Sequence, residues 1–261
     1  MTRPIALALT ALSIAACKPP DAPAELDELA VWLFRHLDAP QDAPLRDGLG
    51  RLDAWLDRNI EATEEGYTVS RLSTEDVARL PEGHGTLKGL TGAAVGVDLR
   101  YTPEDVAPLL TTISPEAIFE SSYHFYHRDH LTDPVCFAAA TCDQAAQRNH
   151  ARARYAGGLV NIENRNLADL RWIHTEAGPA ILHRTWLTEP AKVSLPGLQV
   201  PQQFYLNVVL PHPGGHRRLQ ATWIAAEIIG ANVPEGIALS MVLGSMRSGA
   251  TAIEDWYDAE E

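Results

Sequence analysis

The stretch AVGVDLRYTPEDVAPLLTTISPEAI, residues 94–118, sets the frame for the rest of the chain. It opens with alternation. Val95, Val97, Leu99 and Tyr101 are separated by smaller or polar residues, the two-residue period of a strand running over residues 92–101. At Thr102 the period stops. Thr102-Pro103-Glu104-Asp105 places a hydroxyl at a helix cap, proline in the first turn and a carboxylate at the third position, and Ser114-Pro115-Glu116 repeats the device. The stretch predicts one strand followed by two short helices.

Toward the N-terminus, Ser73 with Asp76 three residues later marks a further helix start. Two apolar stripes precede it: Leu26, Leu29, Leu33 and Leu37, then Leu45, Leu49, Leu52, Leu56 and Ile60. Each recurs at three and four residues, as an amphipathic helix requires. Pro40 to Pro44 separates them, so residues 25–66 read as a helical hairpin. Asp38, Asp47, Asp53, Asp57, Glu61, Glu64 and Glu65 form its expected acidic, solvated outer face.

Toward the C-terminus the period stays at two. Tyr123 and Phe125 alternate with His124, Tyr126 and Arg128. Strands are expected over 152–162, 167–176, 181–188, 200–210 and 219–229, with turns near Glu163-Asn164, at Ala177-Gly178-Pro179 and at Pro211 to Gly215. Pro234 then opens an apolar-rich helix to about Asp258, with an expected stripe of Ile237, Met241, Gly244/Ser245, Ser248, Ala252 and Trp256. Gly236, Gly244 and Gly249 are expected to let the sheet or a ligand come close.

This order of a strand, two short helices, an antiparallel run and one long final helix resembles the helix-grip fold of the START and polyketide-cyclase-like superfamily. The resemblance is carried by residues 94–118 and 234–256 and covers about residues 88–258. It implies an α+β fold in which a curved sheet wraps the C-terminal helix and encloses an apolar cavity that holds a lipid or other hydrophobic ligand. Another α+β sheet with one covering helix is the competing arrangement.

A second resemblance lies at the start. Arg3, an uncharged run from Ile5 to Ala16 and the closing Ile14-Ala15-Ala16-Cys17 resemble the lipobox of bacterial lipoproteins. The run is too short for a membrane-spanning helix, which needs about 20 apolar residues. The resemblance implies a signal peptide over 1–16, lipidation and acylation (palmitate) at Cys17, and a lipidated, proline-rich tether over 17–24. Lys18 after the cysteine favours the outer membrane, with the body in the periplasm or at the cell surface. Residues 67–258 form the α+β body. Losing Arg3 takes the net charge from −13 to −14. An acidic body without a basic footprint excludes nucleic acid.

The other two cysteines, Cys136 and Cys142, are an even pair in an oxidising space, so they read as a structural disulfide. Their short loop makes its stabilisation about 2–3 kcal/mol.

Glu227 lies inside an apolar strand, where alternation groups it with Leu219, Ala221, Trp223 and Ala225. If that side faces the C-terminal helix, Glu227 and Trp223 with Met241 and Ile237 would line a ligand cavity. The opposite side (Thr222, Ile224, Ala226, Ile228) is equally apolar, so alternation does not choose. An outward Glu227, or one paired with Arg171 or Arg184, is the plainer reading. His124, His127, His130 and Asp129 are metal-capable, but alternation points them to different sides, and a polar strand end explains them better. No hydrolase, phosphate-loop, zincin or EF-hand motif is present. No metal, cofactor or catalytic residue is assigned. The expected role is binding of a hydrophobic or amphipathic small molecule. The alternatives are an envelope interaction module that docks a protein partner through the acidic hairpin, and an enzyme using Glu227 or a histidine as acid–base.

Overall fold

The computed structural model describes residues 21–260, apart from 82–84, 86, 121, 156–159 and 229–230, and apart from the side chains of 231, 232, 235, 238, 241 and 260. The lipobox, Cys17, most of the tether and the Met241 side chain lie outside the described residues.

The elements in chain order are α1 (Leu26–His36), α2 (Asp42–Glu64), β1 (Tyr67–Val69), α3 (Thr74–Val77), β2 (Thr91–Leu99), α4 (Pro103–Thr111), a 3-10 turn (Pro115–Ala117), β3 (Tyr123–His130), α5 (Pro134–Ala138), β4 (Gln144–Tyr155), β5 (Val160–Thr175), β6 (Gly178–Leu187), β7 (Lys192–Val193), β8 (Leu198–His212), β9 (Gly215–Ile228), β10 (Ala231–Asn232) and α6 (Glu235–Glu260). The strands form one antiparallel sheet in the order β1-β2-β9-β8-β6-β5-β4-β3. The fold is α+β: a helical hairpin, a sheet whose first long strand pairs with its last, and a long C-terminal helix, in the order the helix-grip reading expects.

Local signals account for most boundaries. Thr102 caps α4 with the reciprocal Asp105 bonds, and the Ser73 backbone N–H donates to Asp76 at 2.6 Å. The third start differs, since Ser114 makes no capping bond and Pro115 opens a 3-10 turn only. The expected turn at Glu163-Asn164 is also absent. β4 ends at Tyr155 and β5 starts at Val160, which puts both residues inside a strand. Glu163 is held there by His150 at 3.0 Å and Arg152 at 3.2 Å.

The two faces of the sheet are covered differently. The hairpin packs on one. Leu26, Leu29, Leu33 and Phe34 of α1, with Leu45, Leu49, Leu52 and Leu56 of α2, bury against Leu182, Trp186, Phe204, Leu206, Leu219 and Trp223. Each fully buried side chain of this kind contributes about 1.5–3 kcal/mol, so the hairpin is part of the main core. Gly92 belongs to this packing, because a Cβ there would sit 2.5 Å from Trp223 Cδ1.

Buried arginines on the same face fix the hairpin's position. Arg171 donates to the Leu37 carbonyl at 2.8 Å and to Asp42 at 2.5 Å. Arg184 donates to the Phe34 carbonyl at 3.0 Å and to Asp169 at 2.9 Å, with Asp38 at 3.7 Å. Arg217 meets Asp57 at 2.6 Å, Asp98 at 2.8 Å and Asp53 at 3.3 Å. The expected acidic outer face is thereby corrected. Asp38, Asp53 and Asp57 turn toward the sheet, because buried guanidinium groups need counter-charges. Of these three, Asp53 is half-buried, whereas Asp38 and Asp57 stay exposed, as do Asp47, Glu61, Glu64 and Glu65.

On the opposite face α4 and α5 cover one end. Val106, Leu110 and Phe137 pack on Leu170, Trp172 and Ile181, with the Cys136–Cys142 disulfide closing α5. α6 covers the β2 side, with Val242 and Met246 against Ala93 and Val95. The buried stripe of α6 is Val242, Met246, Ala250 and Ile253, one position round from the expected one. Both stripes hold small and apolar residues, so the helix pattern alone does not orient it. Gly236, Gly244 and Gly249 are not close approaches either, since a Cβ at each would meet nothing within 4 Å.

Removing the hairpin core is expected to unfold the body. Phe34→Ala should cost about 3–5 kcal/mol, read from denaturant midpoints. A chain lacking residues 24–66 should show no cooperative thermal transition. A folded body after that deletion would show instead that the hairpin is a separable module.

Candidate functional site

Register places one set of side chains on the face turned toward α4 and α6. From β3 these are His130, Arg128, Tyr126 and, after a bulge, Tyr123; from β4, Gln147, Asn149, Ala151 and Ala153. β5 and β6 add Asn166, Ala168, Leu170, His183 and Thr185. β8 and β9 add Tyr205, Asn207, Arg218, Gln220 and Thr222. The two ends of this face are apolar. Its middle is polar and buried, contrary to the expected apolar cavity: Arg128 is 4 % exposed, Gln147 1 %, Asn149 1 %, His183 6 % and Arg218 6 %.

Part of this set is satisfied internally. Arg128 Nη1 donates to the Leu109 and Thr112 carbonyls at the end of α4, at 2.7 and 3.0 Å, and its guanidinium lies 4.8 Å from the Tyr126 ring centre. Arg218 Nε donates to Asn207 Oδ1 at 2.9 Å, and its Nη2 lies 3.4 Å from Tyr205 Oη. With its carbonyl oriented toward these donors, Gln220 accepts from Tyr205 Oη at 2.6 Å and donates to the Met246 carbonyl of α6 at 3.1 Å. Other buried atoms have no partner among the described residues: both His183 ring nitrogens, Arg128 Nε, Gln147 Oε1 and Asn149 Oδ1. Buried polar groups are normally paired, so these atoms point to something that completes them.

The face opens between α6 and the ends of β3–β5. A cavity of about 420 Å³ lies there, lined by Tyr123, Ala153, Arg154, Tyr155 and Val160 on the sheet and by Ser240, Gly244, Ser245 and Ser248 on α6. Its volume suits a small-molecule site, about 300–1,000 Å³. Burial pushes the Tyr123 and Tyr155 hydroxyls above their ordinary pKa, so both stay neutral. A larger open groove of about 670 Å³ runs between α2 and the β5–β6 turn, past Arg46, Asp47, Arg51 and Glu176. Neither opening is lined by a side chain with a buried unpartnered atom, but the smaller one shares its sheet face with those atoms.

Of the four expected cavity residues, the three with described side chains, Trp223, Glu227 and Ile237, are not brought together here. Trp223 faces the hairpin, its ring 5.5 Å from Phe34 and its indole N–H donating to the Ser70 carbonyl at 2.7 Å. Glu227 shares that side of β9, half-buried; Arg171 and Arg184 are committed to Asp42 and Asp169. Ile237 is 54 % exposed. Alternation grouped Glu227 and Trp223 correctly, but their side looks away from α6. His127 contacts Asp129 at 3.1 Å, and His130 is on the other side of β3. Asp53, Asp57 and His212 lie close enough together to hold a metal ion, but the Arg217 guanidinium already occupies them, 3.4 Å from His212 Nε2.

No protein-family model and no curated protein matches the chain. Among solved structures it is similar to the STAR-related lipid transfer protein (fragment 25–204) of Xanthomonas axonopodis, with 12 % identity over 64 % of this chain and 93 % of that one, TM-score 0.41. It is also similar to human STARD10, with 9 % identity over 79 % and 80 % of the chains, TM-score 0.39. The human StarD13 lipid transfer and protein localization domain gives 10 % identity over 78 % and 94 %, TM-score 0.37. At these identities and scores none of the likenesses assigns a ligand to this chain.

The buried histidines make stability pH-dependent. Burial, with Arg128 and Arg218 adding to it, pushes His183 down to about 3, and burial pushes His216 down to about 4. The unfolded chain takes up these protons below about pH 6.5 while the folded chain does not. Stability is therefore fully present above pH 6.5 and lost as pH falls toward 4, by up to about 1.4 kcal/mol per unit for each group. His183→Gln should reduce the slope by about that amount between pH 6 and 5 in urea-midpoint measurements. An unchanged slope would mean His183 titrates normally in the folded chain.

Proposed function

We propose that the protein is a lipid-anchored envelope protein that holds an amphipathic small molecule between its sheet and α6. The observation that carries the reading is the 420 Å³ cavity at the α6 side, on the same sheet face as the buried unpartnered polar atoms. A purely hydrophobic guest would leave those atoms unsatisfied at a cost of about 1–3 kcal/mol each. A guest with a polar head and an apolar body would satisfy them and fill the tyrosine-lined mouth.

The anchor is the lipid at Cys17. Among the described residues no helix is long and apolar enough to cross a membrane. Acylation at an N-terminal cysteine with two or more chains gives stable attachment, and the tether would leave the body free above the bilayer. The acidic-hairpin docking reading is weaker. Its helices supply the core, and three of its acids are spent on sheet arginines.

Two expected outcomes test this. Gly244→Trp puts a large side chain into open space at the mouth, and replacing a helical glycine does not lower helix propensity. The variant should melt within a few degrees of wild type, yet organic extraction of the envelope-purified protein should recover at least tenfold less amphiphile. Equal recovery would remove the cavity reading. Cys17→Ser should abolish incorporation of labelled palmitate and release the protein from the membrane fraction. Retained label would show a different acylation site.

A further inference from the structure

The buried arginines of the two faces are neutralised differently. Arg171, Arg184 and Arg217, on the hairpin face, each have a carboxylate oxygen at 2.5–2.9 Å. Arg128 and Arg218, on the α6 face, have none within 4.0 Å among the described residues. Their hydrogen-bond partners are carbonyl oxygens, an amide and a phenol, all neutral. Two guanidinium charges therefore sit in the interior without a counter-ion among the described residues, a costly arrangement unless something supplies the charge. His183 lies between them in the sheet, with both ring nitrogens unpartnered, and the two guanidinium groups are the charges that bear on it. Arg128 still offers its Nε, and guanidinium groups suit planar or tetrahedral oxyanions.

We propose that the buried face around Arg128, His183 and Arg218 is an anion seat, which receives the carboxylate or phosphate head of an amphiphile whose apolar body extends to the mouth between Tyr123, Tyr155 and α6. The inference rests on the cavity reading above. Gln147 Oε1 and Asn149 Oδ1 are acceptors without donors, so the head also presents an O–H or N–H group beside its anionic oxygens. Arg128 is partly occupied with the α4 carbonyls, whose helix-end dipole offsets some of its charge. Arg218 has no such support and is the more exacting test.

The test uses the full-length chain and four probes: dodecyl phosphate, dodecanoate, dodecanol and inorganic phosphate. Both anionic amphiphiles should bind at least tenfold more tightly than dodecanol, and inorganic phosphate at least tenfold more weakly than dodecyl phosphate. Arg218→Gln should bring the anions to within about threefold of dodecanol and leave dodecanol unchanged, and Arg218→Lys should restore part of the loss. Arg128→Gln should act likewise if it folds. In wild type, the His183 ring resonances should shift with dodecyl phosphate and not with dodecanol. Equal binding of all three dodecyl compounds, unaltered in the variants, would overturn the anion seat and leave the cavity standing. Binding of inorganic phosphate as tight as dodecyl phosphate would overturn the amphiphile and leave a seat for a free anion. No binding of any probe would remove the cavity reading along with the seat.

Discussion

The whole arrangement depends on how buried guanidinium groups are compensated. Arg171, Arg184 and Arg217 rise from consecutive parts of one sheet face into what would otherwise be a dry core. Taking such charges out of water is expensive, and the chain offsets it with Asp42, Asp169, Asp98 and Asp57 and with the last carbonyls of α1. Those carbonyls are the groups that a helix end leaves unsatisfied. One set of contacts therefore neutralises the sheet, finishes α1 and fixes where the hairpin sits. The leucine stripes supply most of the burial energy, and the ion pairs set the hairpin's position on the sheet.

The other face is built from the same materials and left incomplete. α4, α5 and the disulfide seal one end, α6 seals the β2 side, and the middle holds polar side chains with unused hydrogen-bonding atoms. A sheet stabilised so fully from one side does not need a dry core on the other. Gly244 of α6 leaves space open at the mouth, since a Cβ there would meet nothing within 4 Å. A scaffold face and a polar face thus share the same strands, alternating residue by residue along β9: Arg217, Leu219, Ala221 and Trp223 to the hairpin, Arg218, Gln220 and Thr222 to the α6 side.

Much of the fold was legible because its signals are local. The leucine spacing of α1 and α2, the Thr102 cap, the glycine turn between β8 and β9 and the two-residue periods all act within a few residues. The errors share one origin. Alternation puts Trp223 and Glu227 on one side of β9, but each side of that strand is apolar enough to face either layer. The buried stripe of α6 lies one position round from the expected one because the neighbouring stripe is as apolar. Glu163 and Asn164 have turn-like identities, and only their cross-strand partners show them to be strand residues. The polar interior had a weak signal, polar residues at alternate positions in successive strands: Gln147 and Asn149, His183 and Thr185, Tyr205 and Asn207, Arg218 and Gln220.

By itself, then, the sequence determined the elements, their order and the α+β class, because caps, turns and periodicity are short-range properties of the chain. It also contained every residue of the polar face. Which face the hairpin takes, which arginines receive carboxylates and which do not, and where the cavity opens were decided only by tertiary structure. The reason is physical. Pairing of charges and alignment of side chains across strands depend on register between segments tens of residues apart, and no local pattern encodes that register.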